Sequence, residues 1–206
     1  MRIRAIIFDL GGVLVRTDDR TPRERLAARL GMTYDELSAL VYDSETALRA
    51  TLGEETSQGH WEAVRAALSL SKEDIQRLPG EFWAGDRLDQ ELVEYLRGLR
   101  PRYKTALLSN AWDDLRLALE QKWSLLNAFD EVIISAEVGL AKPDPRIFQL
   151  ALERLGVSAE EAVFVDDFLH NVEGARAVGM KAIHFKNAGQ ARADLEALLD
   201  QKNDGD

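Results

Sequence analysis

Short apolar runs that alternate with amphipathic segments constrain this fold more than any other feature of the chain. The runs are rich in β-branched residues without regular polar alternation, which is typical of strands covered on both faces. They span residues 5–8, 105–108, 131–134, 162–165 and 181–185. Helical spacing of apolar residues occupies residues 88–99, 112–123, 144–155 and 172–178. This order of strand and helix predicts an α/β fold with a doubly wound, Rossmann-like parallel sheet and right-handed crossovers.

Residues 21–79 interrupt the alternation with a helical pattern that contains no strand-like run. Thr21-Pro22 has the sequence of a helix start, and Gly31 followed by Thr33 marks the end of one helix and the beginning of another. We therefore expect a helical subdomain, residues 16–86, inserted into a core domain formed by residues 1–15 and 87–206. The polar tail over residues 201–206 is expected to be frayed.

The composition narrows the possible partners. An apolar fraction of 46% over 206 residues can form a packed interior. The formal charge of −10 repels a phosphate backbone, so a nucleic acid is not an expected partner. Cysteine is absent, which excludes disulfides and thiolate chemistry. Because the first apolar stretch is too short for a signal or a membrane span, we expect a cytoplasmic protein without membrane contact. The sequence indicates no oligomeric state.

Polar side chains stand directly after the predicted strands. Asp9 ends the first run, Ser109 ends the second, and Asp166-Asp167 ends the run over residues 162–165. Lys142 lies in a loop between a predicted strand and its helix. Ligands of open parallel sheets bind beyond the carboxyl ends of the strands, so these side chains are expected to meet in one site. Gly11-Gly12 would let the backbone turn sharply there and approach a ligand.

Four motifs in this order resemble those of the haloacid dehalogenase-like (HAD) superfamily. They are Phe8-Asp9-Leu10-Gly11-Gly12-Val13, Leu108-Ser109-Asn110, Lys142-Pro143-Asp144-Pro145 and Val165-Asp166-Asp167. Each motif alone is weak, and the combination is specific. The resemblance implies that the helical insert is a small cap domain, which lies as a lid over the site. Phosphatases dominate this superfamily, so it also implies a phosphatase of a small phosphorylated metabolite.

By this resemblance, Asp9 attacks the phosphorus of a phosphomonoester and forms an aspartyl-phosphate, which water then hydrolyses. Asp9, Asp166 and Asp167 would repel one another and an incoming phosphate, so the site needs a cation. Mg²⁺ fits, because it takes carboxylate oxygens together with phosphate and water. We expect Asp9, the Gly11 carbonyl and Asp167 to hold it, with Asp166 binding directly or through water. Asn171 would orient this set without adding charge.

The remaining motif residues would bind the phosphoryl group. Lys142 would neutralise Asp9 and the transferring oxygens, which makes it the second catalytic residue. The Ser109 hydroxyl and the Asn110 amide would donate to phosphate oxygens. Gly11 and Gly12 would bring the backbone close to the substrate.

The position of Gly11 departs from the family pattern, because phosphatases of this superfamily usually carry there a second aspartate that protonates the leaving oxygen. General acid-base catalysis typically contributes ~10²–10⁴-fold. We therefore expect slow turnover, a good leaving group as in a sugar 1-phosphate or an acyl phosphate, or an acid from the cap. Asp18, Asp19 and His60 are candidates for that acid, although each is also consistent with a solvated surface group.

Other interpretations stay open at this level. Some relatives with glycine at this position resemble sugar-phosphate phosphatases and the phosphatase domain of epoxide hydrolases. A non-catalytic phosphate-binding regulator is the main alternative, and a 2-haloacid dehalogenase is another, although dehalogenases lack the acidic pair. The aromatic residues of the helical segments fit either substrate stacking or packing; they are Tyr42, Trp83, Trp112 and Trp123. His170 is expected to face solvent and His184 to be structural.

Overall fold

The computed structural model describes residues 2–200. Its strands are β1 Ala5–Phe8, β2 Val15–Thr17, β3 Asp86–Leu88, β4 Lys104–Ser109, β5 Glu131–Ile134, β6 Ala162–Asp166 and β7 Lys181–His184. Its α-helices are α1 Thr21–Arg29, α2 Tyr34–Tyr42, α3 Glu45–Thr51, α4 Ser57–Ala67, α5 Lys72–Phe82, α6 Gln90–Leu99, α7 Leu115–Leu117, α8 Ser135–Val138, α9 Pro145–Leu155, α10 Leu169–Ala177 and α11 Ala188–Leu199. Short 3₁₀ turns lie at Leu126–Ala128 and Ala159–Glu161.

A parallel sheet in the order β5-β4-β1-β6-β7 forms the centre of the molecule. The order reverses direction on either side of β1, as in a doubly wound fold, and the predicted α/β class is confirmed. Side chains of β1 enter two separate apolar clusters, Ile6 and Phe8 in one and Ala5 and Ile7 in the other. Burial on both faces explains why the strand sequences lack polar alternation.

Helices α1 to α5 follow one another between β2 and β3, which pair as an antiparallel ribbon. In this ribbon Val15 lies opposite Leu88, and Thr17 lies opposite Asp86. The sequence analysis did not predict the β2–β3 ribbon, and it predicted that a helix begins at Leu88. The helix begins at Gln90 instead, because the Asp89 carboxylate accepts from Leu92 N at 2.8 Å and caps it.

The helical segment packs around an apolar cluster that it shares with Trp112, which follows β4. It includes Trp61, Phe82 and Trp112, and Trp83 packs against it. The Phe82 and Trp83 rings meet edge to face with centroids 4.8 Å apart. Tyr42 lies against both rings, at 5.5 and 5.7 Å. These aromatic residues therefore pack against one another in the interior of the segment. Packing was one of the two interpretations that the sequence left open, and substrate stacking was the other.

Two further elements differ from the sequence prediction. The helix expected over residues 112–123 starts only at Leu115 and widens into a π-helix over Ala118–Lys122. Helix α11 was not predicted, and the tail over residues 201–206 lies outside the described residues. Among residues 2–200, no helix combines the length and the apolar character that crossing a membrane requires.

Candidate active site

Adjacent strands bring the predicted site residues to one edge of the sheet. β1 lies between β4 and β6, with Phe8 in register with Leu107 and with Val165. Asp9 follows β1, Ser109 is the last residue of β4, and Asp166 is the last residue of β6. Because the strands are parallel, their carboxyl ends open on the same side.

Lys142 lies between two of the carboxylates. Its Nζ is 2.8 Å from Asp9 Oδ1 and 2.7 Å from Asp166 Oδ2. All three side chains are buried, and the Lys142 side chain is only 1% exposed. A buried ammonium ion is unfavourable without counter-charge, and the two aspartates supply that counter-charge.

Asp166 is fully engaged by the protein. Besides Lys142, its carboxylate accepts from Phe168 N at 2.7 Å and from Asn171 Nδ2 at 3.1 Å to each oxygen. Asn171 therefore orients this carboxylate. Because its oxygens are occupied in this way, Asp166 is arranged as the counter-ion of Lys142. Of the two expected ways for Asp166 to bind a metal, directly or through water, binding through water suits this arrangement better.

Asp167 is different, because one of its oxygens has no partner. Among residues 2–200, nothing hydrogen-bonds to the buried Asp167 Oδ1. Asp9, Asp166 and Asp167 each offer an oxygen within 4.8 Å of the others. A buried carboxylate oxygen without a donor suits a hard cation, and a set of carboxylates fits Mg²⁺ in particular.

The pKa values of two of these carboxyl groups are raised, by burial and by the neighbouring acid. Burial raises the pKa of Asp9 to about 7, and Asp166 adds to the rise while Lys142 opposes it. Burial, followed by the charge of Asp166, also raises the pKa of Asp167. A cation among these groups would lower both values again, because it favours the ionised forms.

The two glycines after β1 have different roles. A Cβ at Gly11 would meet nothing within 4 Å. Gly12 has a φ of +76°, and a Cβ there would lie 2.0 Å from Asp167 Oδ2. Gly12 is therefore required for the close approach of Asp167, whereas the position of Gly11 is open.

Ser109 and Asn110 lie at the end of β4, as expected, but their side chains are in different situations. Ser109 is a buried residue, and within residues 2–200 its hydroxyl has no hydrogen-bond partner, which leaves it able to donate to a phosphate. The Asn110 side chain bonds to the main chain of Lys142 in both directions, at 2.8 Å each. The expectation that this amide donates to phosphate stays a prediction, since its oxygen and one N–H are already used but a carboxamide has a second N–H.

The candidates for a replacement acid differ in their exposure and in their partners. Asp18 and Asp19 are exposed, and Asp19 caps the chain at Thr21 N. His60 is fully buried, contrary to the expectation of a surface group, with Nδ1 2.9 Å from Thr46 Oγ1 and its ring 4.6 Å from that of Trp112. Its burial lowers the pKa of the imidazole.

His184 is a residue whose contact with the site could not be inferred from the sequence. Its Nε2 lies 2.9 Å from the main-chain oxygen of Asp167 and supports the loop that carries the acidic pair. In the sequence, only the position of His184 at the end of an apolar strand indicated a structural role. His170 is exposed near the start of α10, as expected.

Comparisons with known proteins agree with this geometry. The chain is 31% identical to Phosphatase MT3486 of Mycobacterium tuberculosis (strain CDC 1551 / Oshkosh) over 97% of its length and 98% of the relative's. It is 29% identical to Bifunctional epoxide hydrolase 2 of Sus scrofa over 96% of its length, and it spans 39% of that protein.

A solved structure shares the fold. It is the HAD family enzyme bt-2542 of Bacteroides thetaiotaomicron, in complex with magnesium and inorganic phosphate, with a TM-score of 0.74 at 22% identity over 89% of this chain and 94% of the other. The model of the haloacid dehalogenase-like hydrolases matches residues 3–179. On this match and the full-length relative, the chain belongs to the haloacid dehalogenase-like hydrolases.

Proposed function

We propose that this protein is a Mg²⁺-dependent phosphatase of a small phosphorylated metabolite that works through an aspartyl-phosphate on Asp9. The observation that supports it most is the position of Lys142, between Asp9 and Asp166, next to an Asp167 oxygen without a partner. A phosphate dianion needs cations and donors around it, and this edge of the sheet offers both together with a nucleophile.

Asp9, Asp167 and the main-chain carbonyl of Gly11 would hold the Mg²⁺, and Asp166 would contribute through water. The metal would supply positive charge that lets a phosphate dianion approach a carboxylate. The buried and unpaired Asp167 Oδ1 is the feature of this chain that supports the assignment.

Asp9 would attack the phosphorus, and the bond between phosphorus and the substrate oxygen would break, which leaves an aspartyl-phosphate and the alcohol or acid product. Lys142 would donate to the transferring oxygens, and the Ser109 hydroxyl would donate to another of them. Water would then attack the same phosphorus, so that inorganic phosphate forms and Asp9 returns as a carboxylate.

Gly11 bears on the choice of substrate, because no carboxyl group is present there to protonate the leaving oxygen. The leaving group would take its proton from water, which favours substrates whose leaving oxygen is stable as an anion. We therefore propose a sugar 1-phosphate or an acyl phosphate. The helical segment, residues 16–86, would act as a cap that excludes water and selects the leaving group.

The comparisons support this proposal. A relative of nearly the same length is named a phosphatase, and an enzyme of the same fold was crystallised with magnesium and inorganic phosphate. The first relatives also include the epoxide hydrolase, of which this chain spans less than half.

Release of inorganic phosphate from a panel of sugar phosphates and acetyl phosphate, with Mg²⁺ and with EDTA, tests the proposal. Activity should require the metal and disappear in Asp9→Asn, while Asp194→Asn, which changes an exposed aspartate of α11, should keep it. Phosphate release from no substrate under any metal would contradict the proposal. Halide release from a 2-haloacid in EDTA would instead indicate a dehalogenase.

A non-catalytic phosphate-binding regulator is a second candidate, and the glycine at position 11 favours it. It predicts that phosphate binds with Mg²⁺ present but that no substrate turns over. Calorimetry with inorganic phosphate, next to the turnover assay on the same preparation, separates the two functions.

A further inference from the structure

The edge of the sheet opposite Asp9 carries a cationic depression of about 530 Å³. It is bounded by the starts of β4 and β5, by the loop before β4 and by the last turn of α9. A strand rises about 3.3 Å per residue, so the depression lies roughly 16 Å from Asp9 along β1. It is therefore separate from the candidate active site.

The charge of this depression is opposite to that of the whole chain. The chain carries a formal charge of −10, but the depression is lined by five cationic side chains against the two carboxylates of Asp130 and Glu131. The cationic residues are Arg4, Arg100, Arg102, Lys104 and Arg154. A local cationic surface attracts small anions from solution.

Three of these cations are already used by the fold. Arg4 pairs with Glu161 at 3.0 Å, Arg100 pairs with Asp130 at 2.7 Å, and Lys104 Nζ donates to the Leu155 carbonyl at the end of α9. Asp130 is also occupied by Thr105 N at 2.8 Å. The two ion pairs shape the depression and leave little net charge of their own, whereas the contact of Lys104 is with an uncharged carbonyl.

Two guanidinium groups remain available. Arg102 donates only to the Tyr103 hydroxyl, at 3.3 Å, and its guanidinium lies 5.4 Å from that ring. Arg154 makes no hydrogen bond and no ion pair with any residue in the described range 2–200. Both side chains are exposed. Glu131 is likewise without a described partner, and its charge opposes anions here.

We propose that this depression binds a small polyanion with two or more phosphoryl groups, held mainly by Arg102 and Arg154. Guanidinium groups bind phosphate oxygens in a bidentate manner, and two of them suit a ligand that is longer than a single phosphate. The volume is in the range of small-molecule sites. A nucleotide and an inorganic polyphosphate share this chemistry, so the binding experiment needs an arm for each.

Calorimetric titration of the full chain with inorganic pyrophosphate in EDTA tests the proposal, because a metal-independent site is expected. Binding should weaken at least about tenfold in the double variant Arg102→Gln/Arg154→Gln, which loses both guanidinium groups. The matched control Arg25→Gln/Arg77→Gln removes two exposed arginines from the helical segment and should bind as the wild type does. ADP in a parallel titration distinguishes a nucleotide site, which prefers ADP, from a polyphosphate site, which prefers pyrophosphate.

Glu131→Gln provides a second, opposite test. Removal of this unpaired carboxylate should tighten pyrophosphate binding several-fold, which a loss of structure would not do. The proposal fails if pyrophosphate does not bind, or if the Arg102/Arg154 and Arg25/Arg77 double variants weaken binding equally. Thermal melts of each variant confirm that the fold is intact.

Discussion

The side chain of Asn110 holds the main chain of Lys142 by two hydrogen bonds. Lys142 N donates to Asn110 Oδ1, and Asn110 Nδ2 donates to the Lys142 carbonyl, both at 2.8 Å. The loop between α8 and α9 is in this way fixed to the end of β4, and the ammonium group lies beside Asp9. Asn110 is therefore placed to position Lys142, the lysine of the proposed mechanism.

Asn110→Ala should lower kcat about 10- to 100-fold, because both bonds are lost and a displacement of about 1 Å can cost ~10²-fold. The Mg²⁺ concentration for half-maximal activity should stay the same, since Asp9 and Asp167 are untouched. Steady-state kinetics across Mg²⁺ concentrations measures both values. Asn127→Ala, in the 3₁₀ turn before β5 and therefore at the other edge of the sheet, is the control. An unchanged kcat would remove Asn110 from this role.

The sequence predicted that Asp9, Ser109 and Asp166 lie at one edge of the sheet, because this arrangement depends only on strand order. Asp9, Ser109 and Asp166 end three parallel strands, and such ends meet wherever the strands are neighbours. Burial on both faces makes these strands recognisable as short apolar runs. The parallel sheet could therefore be predicted without any knowledge of side-chain contacts.

Contacts between distant segments could not be predicted in the same way. The Asn110–Lys142 pairing joins residues 32 positions apart, and His184 reaches the Asp167 carbonyl across 17 positions. Both depend on side-chain orientation, which apolar periodicity does not encode. The prediction that His60 is a surface group was wrong for a related reason. A polar residue can be buried when it has a hydrogen-bond partner, and the partner of His60 is Thr46, which lies on another helix.

Asp167→Asn and Asp166→Asn should fail in different ways. Asp167 has the unpaired oxygen, so Asp167→Asn should raise the Mg²⁺ requirement at least about tenfold. Asp166 balances Lys142, so Asp166→Asn should lower the free energy of unfolding by about 1–3 kcal/mol. Urea unfolding without metal and activity titrations with Mg²⁺ separate the two effects. The reverse pattern would exchange the assigned roles.

Gly12→Ala should abolish Mg²⁺-dependent activity, whereas Gly11→Ala should retain most of it. The new Cβ at position 12 would lie 2.0 Å from Asp167 Oδ2 and would also be strained at a φ of +76°, while the one at position 11 meets nothing within 4 Å. Isothermal titration with Mg²⁺ and a turnover assay on both variants check this. Equal activities would mean that Asp167 is not held as close to the backbone as described.

His60 should make the stability of the protein fall as the pH is lowered. Its folded-state pKa lies below the ordinary value of 6.5 because the ring is buried, so below about pH 6.5 the unfolded chain takes up a proton that the folded chain does not. The free energy of unfolding should therefore decrease with falling pH in the wild type more steeply than in His60→Gln. Urea unfolding between pH 7.5 and 5 measures the slopes, relative to the exposed control His170→Gln. Identical slopes for the wild type and His60→Gln would show that this ring does not titrate differently on folding.

Gly11→Asp should increase turnover, because the proposed chemistry lacks a proton donor and the position has room for one. A Cβ at Gly11 meets nothing within 4 Å, so the position has space for a longer side chain. General acid catalysis typically contributes ~10²–10⁴-fold. The gain should be large for alkyl phosphates, whose leaving oxygen needs a proton, and small for acetyl phosphate, whose leaving group is stable as an anion. Gly11→Asn has nearly the same shape but no acid, and it should give no gain with either substrate. If Gly11→Asp accelerates both substrates equally, the added carboxylate acts other than by protonation; if it accelerates neither, the chain lacks more of the catalytic apparatus than this one group.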